Sequence, residues 1–228
     1  MSTFSINQRF SFLTDLTKMV IYDVTPSLIV TGEGGLGKTH SVAQAIDVTG
    51  LQDHEYVFFK GYSTARGLYN TLYDNNGKLI IFDDCDSVLD DKVALNILKS
   101  ALDSYDTRKI SWMAKMNKSD EYPQHFDFTG RIIFISNKVK TSIDGAILSR
   151  SLTVDLTMTP DEKIERMTTI LPNILPQYDN DVKLEALNFL NENKGSASIN
   201  MRTLIMVIKM RYSNPDNWMD MASYMLNS

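Results

Sequence analysis

The 228-residue sequence has a single cysteine, Cys85, so no disulfide can close within the chain and a cross-linked scaffold is excluded. A reducing, cytoplasmic setting is the expectation. Positive charge is also in short supply: 23 Lys and Arg stand against 28 Asp and Glu, a formal net charge of −5. A chain wrapped in nucleic acid is usually basic, so any contact with DNA or RNA has to come from local loops and not from the field of the whole molecule. No apolar run approaches membrane-spanning length, and the opening Met1-Ser2-Thr3-Phe4-Ser5 lacks the basic-then-apolar order of a signal peptide, so no membrane association is expected. Internal repeats and low-complexity tracts are missing too. What remains is the composition of an ordinary globular protein, long enough for one α/β domain with a real core and a small appendage.

The most informative stretch is Gly32-Glu33-Gly34-Gly35-Leu36-Gly37-Lys38-Thr39, which fits the phosphate-loop pattern of Gly, four residues, Gly, Lys and then Ser or Thr. Ser27 to Thr31 before it reads as a buried strand, and Val42, Ala45 and Ile46 after it fall at helical spacing, the context the mechanism requires. Closely spaced glycines let successive backbone N–H groups point inward, and the following helix adds the positive end of its dipole. A polyphosphate is the natural guest. Lys38 is expected to reach the β and γ phosphates, and the Thr39 hydroxyl to complete a Mg²⁺ shell.

A second signature is Leu79-Ile80-Ile81-Phe82-Asp83-Asp84, an apolar run that delivers two carboxylates to the C-terminal end of a central parallel strand, where such sheets bind ligands. Asp83 is placed to hold the metal through water, and Asp84 to orient or deprotonate the attacking water. Paired acids after a strand also serve as helix caps, and Asp86 or Ser87 reads as the cap of the next helix. Arg131 to Asn137 is another buried strand. Its terminal amide, Asn137, would fix the nucleophilic water or sense the γ-phosphate.

Two further strands, Tyr56 to Phe59 and Leu152 to Leu156, complete five candidates alternating with helices. The turn Lys60-Gly61-Tyr62 either grips a polymer or folds its tyrosine over the sheet edge. Between Arg108 and Thr129, alternation of Ile110 and Trp112 with Lys109 and Ser111, and of Phe126 and Phe128 with His125 and Asp127, predicts a hairpin. Its tip holds Lys115, Asn117, Lys118, Ser119 and Asp120, suited to a phosphate backbone or simply to solvent. Thr159-Pro160-Asp161-Glu162 is a capping box that opens a wholly helical remainder, in which Met201, Met206, Met210, Met219, Met221 and Met225 read as adaptable core.

With these motifs in this order, the chain resembles the AAA+ ATPases over nearly its full length. The resemblance implies a P-loop five-stranded parallel sheet sandwiched by helices and followed by a small all-helical lid, with residues 1–157 as the nucleotide-binding domain and 158–228 as the lid. It makes Gly32 to Thr39, with His40 next to it, the Walker A loop that binds ATP; Asp83 and Asp84 the end of Walker B; and Asn137 sensor 1. Arg150, in a Ser149-Arg150-Ser151 triplet similar to the Ser-Arg-Cys motif of clamp loaders, looks like the arginine finger, and Arg202 matches sensor 2. ATP and Mg²⁺ are the implied ligands. A finger at Arg150 would complete a neighbour's site, which implies self-association into a ring or spiral, with a hexamer expected. The sequence departs from the family at Asp84, where Glu is usual; replication initiators and superfamily 3 helicases resemble it in carrying paired aspartates, and their pre-sensor hairpin is similar to residues 108–129.

The leading expectation is an oligomeric ATPase that moves or remodels DNA, as replication helicases and helicase loaders do, with single-stranded DNA met through residues 108–129. The alternatives are a AAA+ remodeller of polypeptides, gripping through Tyr62, and a P-loop nucleotide kinase. The kinase is disfavoured by Asn137 at the end of a strand after Walker B and by the helical C-terminal third.

Overall fold

A strand buried on both faces reads as a near-continuous apolar run, and three such strands form the middle of the sheet. The computed structural model describes residues 3–104, 108–112, 122–196 and 198–227. Strand β1 (Ser27–Thr31) and strand β3 (Leu79–Asp83) are buried along their whole length, and β6 (Arg131–Ile135) is buried after its first residue. The half-buried β2 (Tyr56–Lys60) and β7 (Leu152–Asp155) form the edges of this five-stranded parallel sheet, in the order β2-β3-β6-β1-β7. All five C-terminal ends therefore lie on one edge. The register fixes which residues meet there: Lys60 pairs with Asp83, and Asp83 with Ile135. Phe82 stacks on Phe134 at 4.9 Å between ring centroids and on Phe59 at 5.9 Å, so three adjacent strands share one aromatic seam.

By packing, the chain divides into two units. The sheet unit comprises the described residues of Phe10–Gly32 and Lys38–Leu156; the helical unit comprises those of Met1–Arg9, Glu33–Gly37 and Thr157–Ser228. Helix α1 (Ile6–Ile21) buries Phe10, Leu13, Thr17 and Val20. Helix α2 (Lys38–Thr49) follows β1, and α3 (Ala65–Asp74) follows β2, capped by the Thr64 hydroxyl, which accepts from Gly67 N at 3.0 Å.

After β3 come the short α4 (Ser87–Asp90) and then α5 (Lys92–Ala101), whose apolar face is Ala94, Ile97, Leu98 and Ala101. Asp91 caps α5: its Oδ1 accepts from Val93 N at 2.7 Å and Ala94 N at 2.9 Å. The expected hairpin is present at its base, as β4 (Arg108–Ser111) antiparallel to β5 (His125–Phe128). Asn76 Nδ2 donates to Asp127 O at 2.8 Å, and Tyr69 Oη donates to Pro123 O at 2.7 Å, anchoring that base to α3 and its following turn. Lys115, Asn117, Lys118, Ser119 and Asp120 of the expected tip lie outside the described residues. The short α6 (Gly145–Leu148), capped by Asp144, precedes β7.

The helical unit opens on α7 (Pro160–Ile170), where both halves of the capping box form: Thr159 N donates to Glu162 Oε2 at 2.8 Å and Glu162 N to Thr159 Oγ1 at 3.2 Å. Helices α8 (Asn180–Glu192), α9 (Met201–Ser213) and α10 (Trp218–Asn227) close a core of Leu187, Phe189, Leu190, Leu204, Val207, Ile208 and Trp218. The reading of the methionines needs correction. Met201, Met210 and Met225 pack against this core, but Met206, Met219 and Met221 are exposed. In α9 the buried face runs through Thr203, Leu204, Val207 and Ile208, and position 206 points away from it.

Because Asp91 alone supplies the side-chain acceptor at the start of α5, Asp91→Ala is expected to destabilise the protein by about 1 kcal/mol. A shift in the urea midpoint at unchanged slope is the measurement, and no shift would remove Asp91 as the cap.

Candidate functional site

The loop after β1 needs glycine for a backbone reason. Gly32, Gly35 and Gly37 have φ values of 133°, 75° and 88°, where a Cβ is strongly disfavoured. Gly35 is also short of space, since a Cβ there would stand 2.8 Å from Asn200 Oδ1 within the helical unit. In that unit Met201 N donates to Gly35 O at 2.9 Å, and Lys163 Nζ, on a largely buried side chain, donates to Glu33 Oε2 at 2.6 Å. Leu36 is buried, while Glu33, Gly34 and the downstream His40 are exposed.

In the sheet unit, five of the expected residues fall into two neighbouring sets of hydrogen bonds. Lys38, only 5% exposed, donates from Nζ to Gly32 O at 2.6 Å and to Asn137 Oδ1 at 2.9 Å. The Asn137 amide then donates from Nδ2 to Asp84 Oδ1 at 2.5 Å. Only this orientation of the amide satisfies an ammonium on one side and a carboxylate on the other. Thr39 Oγ1 donates to Asp83 Oδ1 at 3.0 Å, and Lys60 Nζ stands 2.8 Å from Asp83 Oδ2. That hydrogen bond and the Asp83 charge hold the Lys60 ammonium above its ordinary pKa. The sequence placed Lys60 in a turn suited to gripping a polymer; the structure ends β2 on it, and strand register sets it beside Asp83.

The turn after β3 shows why its acids differ. Asp83, the last strand residue, is buried; Asp84 is exposed, with φ 56°, a left-handed conformation that Asp tolerates better than most residues. Asp86 does not cap the next helix through its side chain, contrary to expectation. It accepts instead from Ser136 Oγ at 2.6 Å and from Asn137 N at 3.4 Å, and so holds the end of β6 against the end of β3. Asp86 has helical backbone angles and leaves α4 without a side-chain cap, whereas Asp91, before α5, is extended and caps that helix.

The remaining expected residues lie outside this network. Arg150 Nη1 donates to Ala146 O at 2.9 Å, and its Nε lies 3.8 Å from Asp103 Oδ2. Arg202 is exposed in the first turn of α9, its backbone N–H held by Asn200 Oδ1 at 2.9 Å. Tyr62 is 83% exposed and is therefore not folded over the sheet edge.

Among the described residues, no group of three or more His, Cys, Asp or Glu is placed to hold a metal ion by itself. A hydroxyl and a carboxylate oxygen converging at 3.0 Å, Thr39 and Asp83, nevertheless fit Mg²⁺, which takes one or two protein oxygens and completes its shell with waters and phosphate oxygens. Also among the described residues, no helix is long and apolar enough to cross a membrane.

Known proteins place the fold. No family model matches the chain. A protein of Enterobacteria phage T4, described as an uncharacterized 36.7 kDa protein in the nrdC-mobD intergenic region, is 28% identical over 239 residues, spanning 96% of this chain and 73% of its own length. Two point mutants of Thermotoga maritima RuvB superpose with TM-scores of 0.61 and 0.60 at 13% and 16% identity, over 97% of this chain and 69% of theirs. A third structure, described as the Thermotoga maritima RuvB Holliday junction branch migration motor, gives 0.55 at 14% identity over 97% of this chain and 68% of its own. The chain has the AAA+ P-loop fold, a five-stranded parallel sheet flanked by helices with a helical C-terminal region.

Cys85, buried between the acids of this turn, gives a check on the local packing. Burial, then the Asp83 charge, pushes its thiol up to about 11. At pH 8 the folded protein is expected to react with a disulfide reagent on the order of a hundredfold more slowly than the urea-unfolded chain, because thiolate is the reactive form. Equal rates in the two states would place Cys85 at the surface.

Proposed function

We propose that the chain is an oligomeric ATPase that binds ATP with Mg²⁺, hydrolyses it to ADP and phosphate, and uses the cycle to move or remodel DNA as a replication helicase or helicase loader does. The observation that carries this reading is the convergence of Lys38, Thr39, Asp83, Asp84 and Asn137 at the C-terminal ends of adjacent parallel strands. Residues 1–157 form the nucleotide-binding domain in this reading, and 158–228 the lid.

In the proposed site, the amides of residues 32–39 cradle the phosphates, flanked by His40, and Lys38 exchanges the Gly32 carbonyl for β and γ phosphate oxygens. Thr39 and Asp83 hold the Mg²⁺, which supplies charge neutralisation at the transferring phosphoryl group. Asp84 accepts the proton of the attacking water, and Asn137, already bonded to it, fixes the water's position. Arg150 of one subunit stabilises the transition state in the next, and Arg202 acts as sensor 2. Assembly into a ring or spiral, a hexamer in this reading, follows from that role for Arg150.

For the target, the DNA reading is supported by exposed Lys109 and Ser111 on β4 and by the likeness of fold to RuvB, described as a branch migration motor. A second reading, remodelling of polypeptides, draws on the exposed Tyr62 at the end of β2.

Lys38→Ala is expected to weaken ATP binding about 10- to 100-fold, the loss of one charge-assisted contact, read by titration with a fluorescent ATP analogue. Undiminished affinity would refute the site.

Asp84→Asn and Arg150→Ala are both expected to keep near-normal binding. Phosphate release should fall by about 10² to 10⁴ for the first and by about 10³ or more for the second; equal loss of binding and turnover in the Arg150 variant would count against a finger. Light scattering should show assembly with a non-hydrolysable ATP analogue, and single-stranded DNA should speed phosphate release in a manner lost when Lys115 and Lys118 are changed to alanine. A monomer that phosphorylates a small acceptor would establish the kinase instead.

A further inference from the structure

The proposed chemistry uses Asp83 for metal and leaves Lys60 without a task. Lys60 is the last residue of β2, and parallel pairing sets it directly beside Asp83. Gly61, at φ 95°, follows it, so strand register sets the backbone of Lys60 beside this acid. Lys60 Nζ takes Oδ2 at 2.8 Å while Thr39 takes Oδ1 at 3.0 Å, and both carboxylate oxygens are engaged. The pair is asymmetric: the Lys60 side chain is 62% exposed and that of Asp83 only 3%. A buried carboxylate has little water to screen it and feels a neighbouring charge strongly, whereas the lysine can swing into solvent at little cost.

We propose that Lys60 is a resident counter-charge that sets the metal behaviour of the nucleotide site: it neutralises Asp83 in the empty state, so that a bare divalent cation is held poorly and metal is taken up together with the triphosphate. The inference rests on Asp83 being the metal acid. A free cation has to displace an ammonium from the buried Asp83 carboxylate and gains only a hydroxyl besides. A triphosphate brings its own oxygens and negative charge, so displacement of the lysine is no longer decisive. Lys60 is thus a positioning residue that acts on the metal through Asp83.

The test is Mn²⁺ titration of the full chain, following the free-ion EPR signal, with and without a non-hydrolysable ATP analogue, each read against the same solution lacking protein. Lys60→Met and Lys60→Gln are expected to bind bare Mn²⁺ on the order of tenfold more tightly than the parent, Lys60→Arg is expected to stay near it, and all are expected to differ much less when the analogue is present. Unchanged bare-metal affinity in the Met and Gln variants, with parental circular dichroism and melting, overturns the proposal. If the parent takes up no Mn²⁺ even with the analogue, the reading of Asp83 itself fails, a result distinguishable from the first because it needs no variant.

Discussion

Asp83 presents a buried carboxylate at the end of the interior strand β3, and a charge in that position is tolerable only when it is paired and hydrogen-bonded. The fold meets that demand from two elements far apart in sequence: the Thr39 hydroxyl comes from the first turn of α2, and the Lys60 ammonium from the end of the neighbouring strand. Lys60 reaches it because β2 pairs with β3 in parallel, and Thr39 because α2 begins after the C-terminal end of β1, on the same edge of a sheet whose strands all point the same way. An antiparallel neighbour would send its C-terminal residue to the opposite edge, and the acid would be stranded without a counter-charge.

The same sheet edge holds the neighbouring polar side chains in place through one another. Lys38 is drawn inward by Gly32 O and Asn137 Oδ1, and Asn137 hands the connection on to Asp84. One neutral amide thus spaces a cation from an anion. Asp86 adds rigidity by taking the Ser136 hydroxyl and the Asn137 N–H, locking two strand ends together. Groups fixed in this way lose little side-chain freedom on meeting a ligand, the condition under which electrostatic stabilisation is most effective.

Much of this was legible in the residues alone, for identifiable reasons. Buried parallel strands read as unbroken apolar runs, which is why Leu28 to Val30, Leu79 to Phe82 and Ile132 to Ile135 stand out. Loop glycines at 32, 35 and 37 coincide with backbone angles that disfavour other residues, and the Thr159–Glu162 box is a local pattern spanning three positions. What local patterns do not carry is pairing across long separations. Lys60 was visible only as part of a turn because strand register, not sequence proximity, sets it beside Asp83. Asp86 looked like a cap because its true partner, Ser136, is 50 residues away. The link between Lys163 and Glu33 spans 130 residues, and the exposure of Met206 depends on which face of α9 meets α8 and α10.

The left-handed turn at Asp84 has a further consequence. A residue with φ of 56° sits where short polar side chains are accommodated and longer ones are disfavoured, so main-chain shape restricts which acid can stand at that corner. Asp84 Oδ1 meets Asn137 Nδ2 at 2.5 Å, so the position of this carboxylate is governed by how the ends of β3 and β6 are spaced. Anyone wishing to lengthen that arm would have to rebuild the corner first.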